Sequence, residues 1–389
     1  MSERARVTSG DSEPLPDGYT VRPYRRQDRE GLLSLYQDVL SERLTDRWFE
    51  WKYEANPYAD DVHVFVAEFD GRIVGAAGFW HLDLSTGDRT MRVIQSCDGA
   101  VRSDHRRRGI YTNLFEAGLG YYADAGIEFV FDFPNELTKA TFEKHGWRLV
   151  EEREAHYRLQ RPAAVVGDRL DGPGAGVVRK GAELVARGYH AAKSRRRSAP
   201  TGIDVERTDG VPPATLASVY RRDVPDRFHL VRDETFYRWR FDNPHWDYTT
   251  YVGRYEGTPL AAIVTGTRTI DGANVTRLTD VVPLSSDSSA GRKRALAAAL
   301  ESVLEANADA ALVVAPSGVL PSSLRSRYGF HSNQRFPLSR FTTPTAHGVY
   351  LLSAIGSEGD ADGEEWRVDG KRLTDPDSWR ITFAEYDTG

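Results

Sequence analysis

A chain of 389 residues, 40% hydrophobic and 28% charged with a formal charge of −6, has room for two or three units that each bury a core. Its 8 Trp, 18 Tyr and 16 Phe exclude a largely disordered chain, and no apolar run approaches the ~18 residues of a membrane span. The single cysteine, Cys97, excludes an internal disulfide framework and a cysteine-based zinc site, and the polar start MSERARVTSGDSEP has no leader-like apolar core. A soluble, cytoplasmic protein is expected, with no membrane partner. Acidic residues (57) outnumber basic ones (51), which argues against a nucleic-acid partner.

In chain order, residues 1–17 read as a tail. A strand follows from Tyr19 (YTVRPY), then a helix opening near residues 26–28 whose Leu32, Leu33, Leu35 and Tyr36 share one face. Strands are expected at 62–68 and 73–80, joined by the hairpin turn Asp70-Gly71, and again from Met91 to Val101. A basic, glycine-containing loop leads into a helix from Tyr111 to Asp124, an apolar strand at 127–131, a helix at 136–145 and a last strand at 147–159. Residues 161–202 read as a connector, whose basic cluster Lys193 to Arg197 is best taken as a solvated face.

The second half echoes the first. Trp48, Trp51, Lys52, Asn56 and Pro57 are answered by Phe236, Trp239, Arg240, Asn243 and Pro244; Asp70-Gly71 by Glu256-Gly257; Gly146-Trp147 by Gly329-Phe330. The offset drifts slowly, as small loop deletions in one copy would make it. The expected organisation is therefore a tail (1–17), a first domain (18–160), the connector and a second domain (203–389), whose end supplies apolar strands at 349–355 and 379–383 around an acidic, solvated loop.

The chemistry-bearing stretch runs from Ala100 to Phe115. A strand ends in Gly99-Ala100-Val101, a turn carries Arg106, Arg107 and Arg108, and a helix opens at Gly109-Ile110. Glycine there permits close approach, the helix start presents unpaired N–H groups, and three guanidinium forks add charge, so the pattern suits a phosphate or pyrophosphate. The ten histidines form no H-x-x-x-H pair and no P-loop run occurs, so neither a metal site nor a nucleoside triphosphatase is expected.

On these residues the chain resembles the GNAT superfamily of acyl-CoA-dependent N-acyltransferases, whose signature R/Q-x-x-G-x-G/A follows a valine five residues upstream. Here Arg106-x-x-Gly109-x-Tyr111 follows Val101, and Asn135 to Gly146-Trp147 resembles the family's downstream element. The resemblance implies an α/β (α+β) fold of two tandem mixed-sheet domains flanked by helices, the second degenerate because residues 282–292 lack the signature. It implies acetyl-CoA as acyl donor and a small-molecule primary amine as acceptor, joined by direct attack. Arg106, Arg107, Arg108, Gly109, Ile110 and Tyr111 would hold the pyrophosphate, Gly99, Ala100 and Val101 would lie along the pantetheine, and Asn135 would complete the donor site. The thioester would lie between Ala100 and Phe131, where strands four and five splay. Where the family carries a tyrosine acid this chain has Phe142, so the acid falls to water or Tyr111. Gln95 replaces a family glutamate, which leaves Asp98 as the candidate base. A non-catalytic acyl-CoA sensor and an aminoacyl-tRNA-dependent peptidyl transferase of the FemABX type are the alternatives.

Overall fold

The computed structural model describes residues 15–41, 44–134, 139, 146–161, 202–270, 272–284, 289–336, 338–340, 342, 344–352 and 363–387. Asn135, Phe142, most of the helix expected over 136–145 and nearly all of the connector lie outside the described residues. Two mixed sheets flanked by helices carry the fold, and the chain divides into two compact units: residues 1–151 with 346–379, and residues 152–345 with 380–387.

In the first unit, β1 (Tyr19–Pro23) leads to α1 (Arg29–Val39), whose Leu32, Leu33, Leu35 and Tyr36 are buried as their spacing requires. A short α2 (Asp46–Phe49) runs into a π-helical turn, Glu50–Glu54, that buries Trp51, Lys52 and Tyr53. Strands β2 (Val64–Phe69) and β3 (Arg72–Ser85) form a hairpin at Asp70-Gly71, where φ values of +51° and +71° match the twist of the flanking strands. After β4 (Thr90–Val101), α3 (Ile110–Asp124) crosses over and packs Ile110, Leu114, Phe115 and Leu119 on the sheet before β5 (Phe129–Asp132) runs parallel to β4.

The second unit repeats this plan. It comprises β8 (Asp204–Asp209), α4 (Pro213–Arg221), β9 (His229–Leu230), α5 (Glu234–Arg240), β10 (Asp247–Tyr255), β11 (Thr258–Ile270), β12 (Ala273–Val282), α6 (Ala290–Ala306), β13 (Leu312–Pro316) and α7 (Ser322–Tyr328). Strand β13 is again parallel to β12 after a helical crossover, and Glu256-Gly257 again turns a hairpin with φ of +47° and +75°.

Three expectations need correction. The strand expected over 147–159 is two, β6 (Arg148–Arg153) and β7 (Ala155–Leu159), and they enter different sheets. The first sheet runs β1-β2-β3-β4-β5-β15-β6, taking β15 (Thr345–Leu351) from the second half; the second runs β14-β7-β13-β12-β11-β10-β8, with β14 at His331–Ser332. The compact units therefore do not follow the cut at residue 160 or the block 203–389: a strand's alternation specifies which face is buried, not which edge it joins. Finally, the strand expected at 379–383 gives way to a 3-10 turn at Phe383–Glu385. The Thr382 hydroxyl there accepts from Ala384 N (3.0 Å) and the Glu385 carboxylate from Thr382 N (2.8 Å), a capping box that ends extended pairing.

One ion pair in the first unit makes stability depend on acid. Arg22 donates to both carboxylate oxygens of Asp28 (2.6 and 2.9 Å), and the Arg25 amide donates a third bond (2.7 Å). The Arg22 hydrogen bonds, foremost, hold the Asp28 carboxyl below its usual value. The unfolded chain thus takes up this proton first, so the contribution is complete above ~4, the ordinary aspartate value, and is lost as pH falls through the lower folded value. Urea denaturation at stepped pH should show that loss in the wild type and a flatter acid limb in Asp28→Asn; identical limbs would refute it.

Candidate active site

The site begins with an irregularity in β4. Ala76 pairs with Ala100 and Gly78 with Cys97, so Asp98 and Gly99 together face Ala77, a bulge in which Asp98 takes φ +49°. Such a bulge leaves a residue out of the ladder and re-aims its neighbours. On the other edge, β4 and β5 pair only at Ile94–Val130 and Gln95–Phe131. Beyond Ser96 the pairing stops because β5 ends at Asp132, so Gly99, Ala100 and Val101 line a strand edge without β5 partners. Ser96 Oγ donates to Asp132 Oδ2 where the pairing stops, and the Phe133 amide donates to Asp132 Oδ1 (2.6 Å).

Past Val101 the loop is pinned from below. Buried Arg102 donates to the Ile73 carbonyl and Ser34 Oγ (both 3.2 Å) and pairs with Asp38, fixing the strand end to α1. After a 3-10 turn at Ser103–His105, Arg106, Arg107 and Arg108 are exposed. Arg106 Nε donates to the Val101 carbonyl (3.0 Å) and Arg108 to Tyr19 Oη (2.9 Å). Arg107 has φ +61° and Gly109 φ +69°, which turns the chain into α3 with no side chain capping its N-terminus. The first N–H groups of α3 have no intrahelical acceptors, and the helix dipole favours an anion beside them. Ile110 is buried in the core beneath.

Tyr111 does not lie across this loop. Its ring stacks on Phe115 (centroids 6.2 Å apart) and lies against the bulge, so close that a Cβ on Gly99 would stand 2.5 Å from its Cε2. Burial, then the charge of Asp132, pushes its hydroxyl pKa up, so it stays protonated at neutral pH.

Sequence reading named Asp98 but missed its partners. Lys52 Nζ lies 2.6 Å from Asp98 Oδ2, and Tyr53 Oη donates to the same oxygen (2.6 Å) while standing 3.5 Å from Cys97 Sγ. Both donors converge on Oδ2, and Oδ1 takes no hydrogen bond from any described residue. The Lys52 side chain is 2% exposed and that of Asp98 12%. The ammonium sits 5.5, 5.6 and 5.9 Å from the ring centroids of Trp48, Trp80 and Tyr53, and Trp80 Nε1 donates to the Lys52 carbonyl (3.2 Å). Burial and the Asp98 charge raise the Tyr53 pKa well above its usual value. The signal that could have found Lys52 was the echo itself, since each Trp-rich segment carries a basic residue at that place.

The second unit holds the matching aspartate, Asp280, one pair from the bulge of β12, but seals it. Arg232 contacts both its oxygens (3.2 Å each) and Glu385 (2.7 Å), Tyr237 donates to it (2.9 Å), and all are buried. The start of α6 is closed as well: its N-cap Ser289 accepts from the Arg292 amide (3.4 Å). Among the described residues, the first unit's bulge and helix start therefore stay open where the second unit's are occupied.

A family model for the acetyltransferase (GNAT) domain matches residues 20–150. The structure of a GCN5-related N-acetyltransferase from Anabaena variabilis is similar with a TM-score of 0.58 at 10% identity, over 86% of this chain and 73% of that one. A GCN5-related N-acetyltransferase from Kribbella flavida gives 0.55 at 13% identity, over 86% and 71%. Eis1 from Mycobacterium abscessus gives 0.50 at 15%, over 86% and 73%. At such identities the likeness is one of fold, and no curated protein matches the chain by sequence. Residues 20–150 thus match the GNAT acetyltransferase domain, and the chain shares the fold of the GCN5-related N-acetyltransferases.

Proposed function

We propose that the first unit moves an acetyl group from acetyl-CoA to the primary amine of a small molecule by direct attack, and that the second unit is a copy that has lost the donor site. The observation that carries this reading is the conjunction at the end of β4: a strand edge that runs on past the end of β5, then an uncapped helix start beside three exposed arginines. An anion is favoured there, whereas among the described residues the matching helix start of the second unit, α6, is capped by Ser289.

In this reading the amides from Arg106 through Tyr111 hold the pyrophosphate, and the edge Gly99 to Val101 flanks the pantetheine. Asn135 would join the donor site from outside the described residues. The acceptor arrives as an ammonium, which the open Oδ1 of Asp98 attracts and deprotonates. Lys52 and Tyr53 fix that carboxylate through Oδ2, so the oxygen facing the amine is held in one direction. The amine lone pair then forms the C–N bond at the thioester carbonyl, and a backbone N–H of the bulge stabilises the oxygen as its charge grows. The C–S bond breaks, Tyr111, protonated and beside Gly99, hands its proton to the departing sulfur, and the second proton, shed by the new amide nitrogen, passes through solvent to restore the Tyr111 hydroxyl.

Calorimetric titration of acetyl-CoA, followed by thiol release over a panel of amino sugars, amino acids and polyamines, tests this. Saturable binding with turnover of one amine class is expected; absence of binding at millimolar acetyl-CoA would overturn it, and binding without any turnover would make the protein an acyl-CoA sensor. Asp98→Asn and Tyr111→Phe should each lower kcat about 10²-fold, the low end of acid–base assistance, with acetyl-CoA affinity unchanged. Unchanged kcat in either variant removes that residue's role.

A further inference from the structure

The second sheet places a cation where the first has a neutral amide. Gln95 is the last residue of β4 paired with β5, and Arg277 is the last residue of β12 paired with β13, through Val314. Tyr248, Gly266, Arg277, Val314 and Tyr157 are register partners across five adjacent strands, so they share one face of the sheet. Gly266 puts no side chain beside Arg277. A Cβ there would stand 3.1 Å from both Trp246 Cε3 and Tyr248 Cε1, so these rings close over the gap.

The Arg277 guanidinium carbon lies 4.8 Å from the Trp246 ring centroid and 5.3 Å from that of Phe383. Stacked between rings, it keeps its edge of forked donors free and rotationally fixed. Yet Arg277 makes no hydrogen bond or ion pair with any described residue, whereas the buried Arg232 is matched by Asp280 and Glu385, and Arg240 donates to the carbonyls of Ala384 and Tyr386. Burial holds the Arg277 pKa below its ordinary value, as expected for a desolvated cation without a counter-charge. No described acidic residue is supplied here, and Arg277 is only partly covered, so an outside anion can reach it.

We propose that the second unit binds a small organic carboxylate at Arg277. Arg268 also lies over the Trp246 ring, 4.3 Å from its centroid, but has an interaction of its own, so Arg277 is left to neutralise a monoanion and match a carboxylate bidentately, while a dianionic phosphate would be left half-compensated. The tyrosine, tryptophan and phenylalanine walls suit a flat, apolar body behind the carboxylate. This site does not depend on acyl transfer by the first unit and stands or falls separately.

The test uses the full chain with benzoate as probe and inorganic phosphate as counter-probe, read by thermal melting and Trp fluorescence. Saturating benzoate should raise the wild-type Tm by ~2–4 °C, phosphate should not, and Arg277→Gln, which installs the first unit's side chain, should abolish the shift. Ligand-free Arg277→Gln should melt no lower than the wild type, because it removes an uncompensated charge. Arg277→Lys, which keeps the charge without the fork, should weaken benzoate at least ~10-fold, and it carries the test should Arg277→Gln not fold. Equal benzoate shifts in wild type and variant, no benzoate effect on the wild type, a phosphate shift as large as the benzoate one, or a clear drop in the ligand-free Tm of Arg277→Gln would each overturn the proposal.

Discussion

Lys52→Met should destabilise the protein by about 3–5 kcal/mol, the usual cost of stranding one member of a buried ion pair. The Lys52 ammonium and the Asp98 carboxylate are 2.6 Å apart with side chains 2% and 12% exposed, so water cannot replace the lost partner. The rings of Trp48, Trp80 and Tyr53 around the ammonium add a cation–π contribution that methionine forfeits. Asp98→Asn alone should cost less, because Tyr53 still has an acceptor, and the double variant should recover much of the single Lys52 loss, since the stranded charge is gone. That recovery, measured by urea denaturation as a double-mutant cycle, is the coupling between the two residues. A Lys52→Met protein as stable as the wild type would show that the pair contributes nothing to the fold and would remove Lys52 from the residues that hold Asp98.

Gly109→Val should weaken acetyl-CoA binding by at least ~10-fold while costing only about 1–2 kcal/mol of stability. Gly109 sits at φ +69°, a conformation that a β-branched residue adopts only under strain, so valine pulls the turn back toward negative φ. The first amides of α3 then rotate away from the face where the arginines converge. The helix itself, anchored by buried Ile110, Leu114 and Phe115, survives. The two losses are therefore separable: calorimetry reads the donor affinity and melting reads the fold. If acetyl-CoA binds Gly109→Val as well as the wild type, the pyrophosphate does not lie at this turn.

Much of the proposed donor half was legible because it is local. The run from Val101 to Phe115 contains the strand end, the basic turn, the glycine and the helix within fifteen residues, and short-range sterics are enough to order them. Tyr111 was legible as a residue but not as an orientation: its ring meets Gly99 across the sheet, and nothing in the spacing says whether a helix's first turn faces the loop or the strand. Lys52 and Tyr53 were invisible for the same reason, forty-odd residues away from Asp98 and reached only through the π-helical turn.

The sequence by itself determined the α/β class, the hairpins at Asp70-Gly71 and Glu256-Gly257, the amphipathic helices and the duplicated plan, since each depends on backbone sterics or on the period of apolar residues. Only the tertiary structure decided that β7 and β15 join each other's half of the chain, that Lys52 secures Asp98, and that Arg277 stands beside Gly266 with no ion pair among the described residues. Those outcomes depend on which strand edges meet and which charges are buried together. Both are set by long-range pairing that leaves no local imprint on the residues involved.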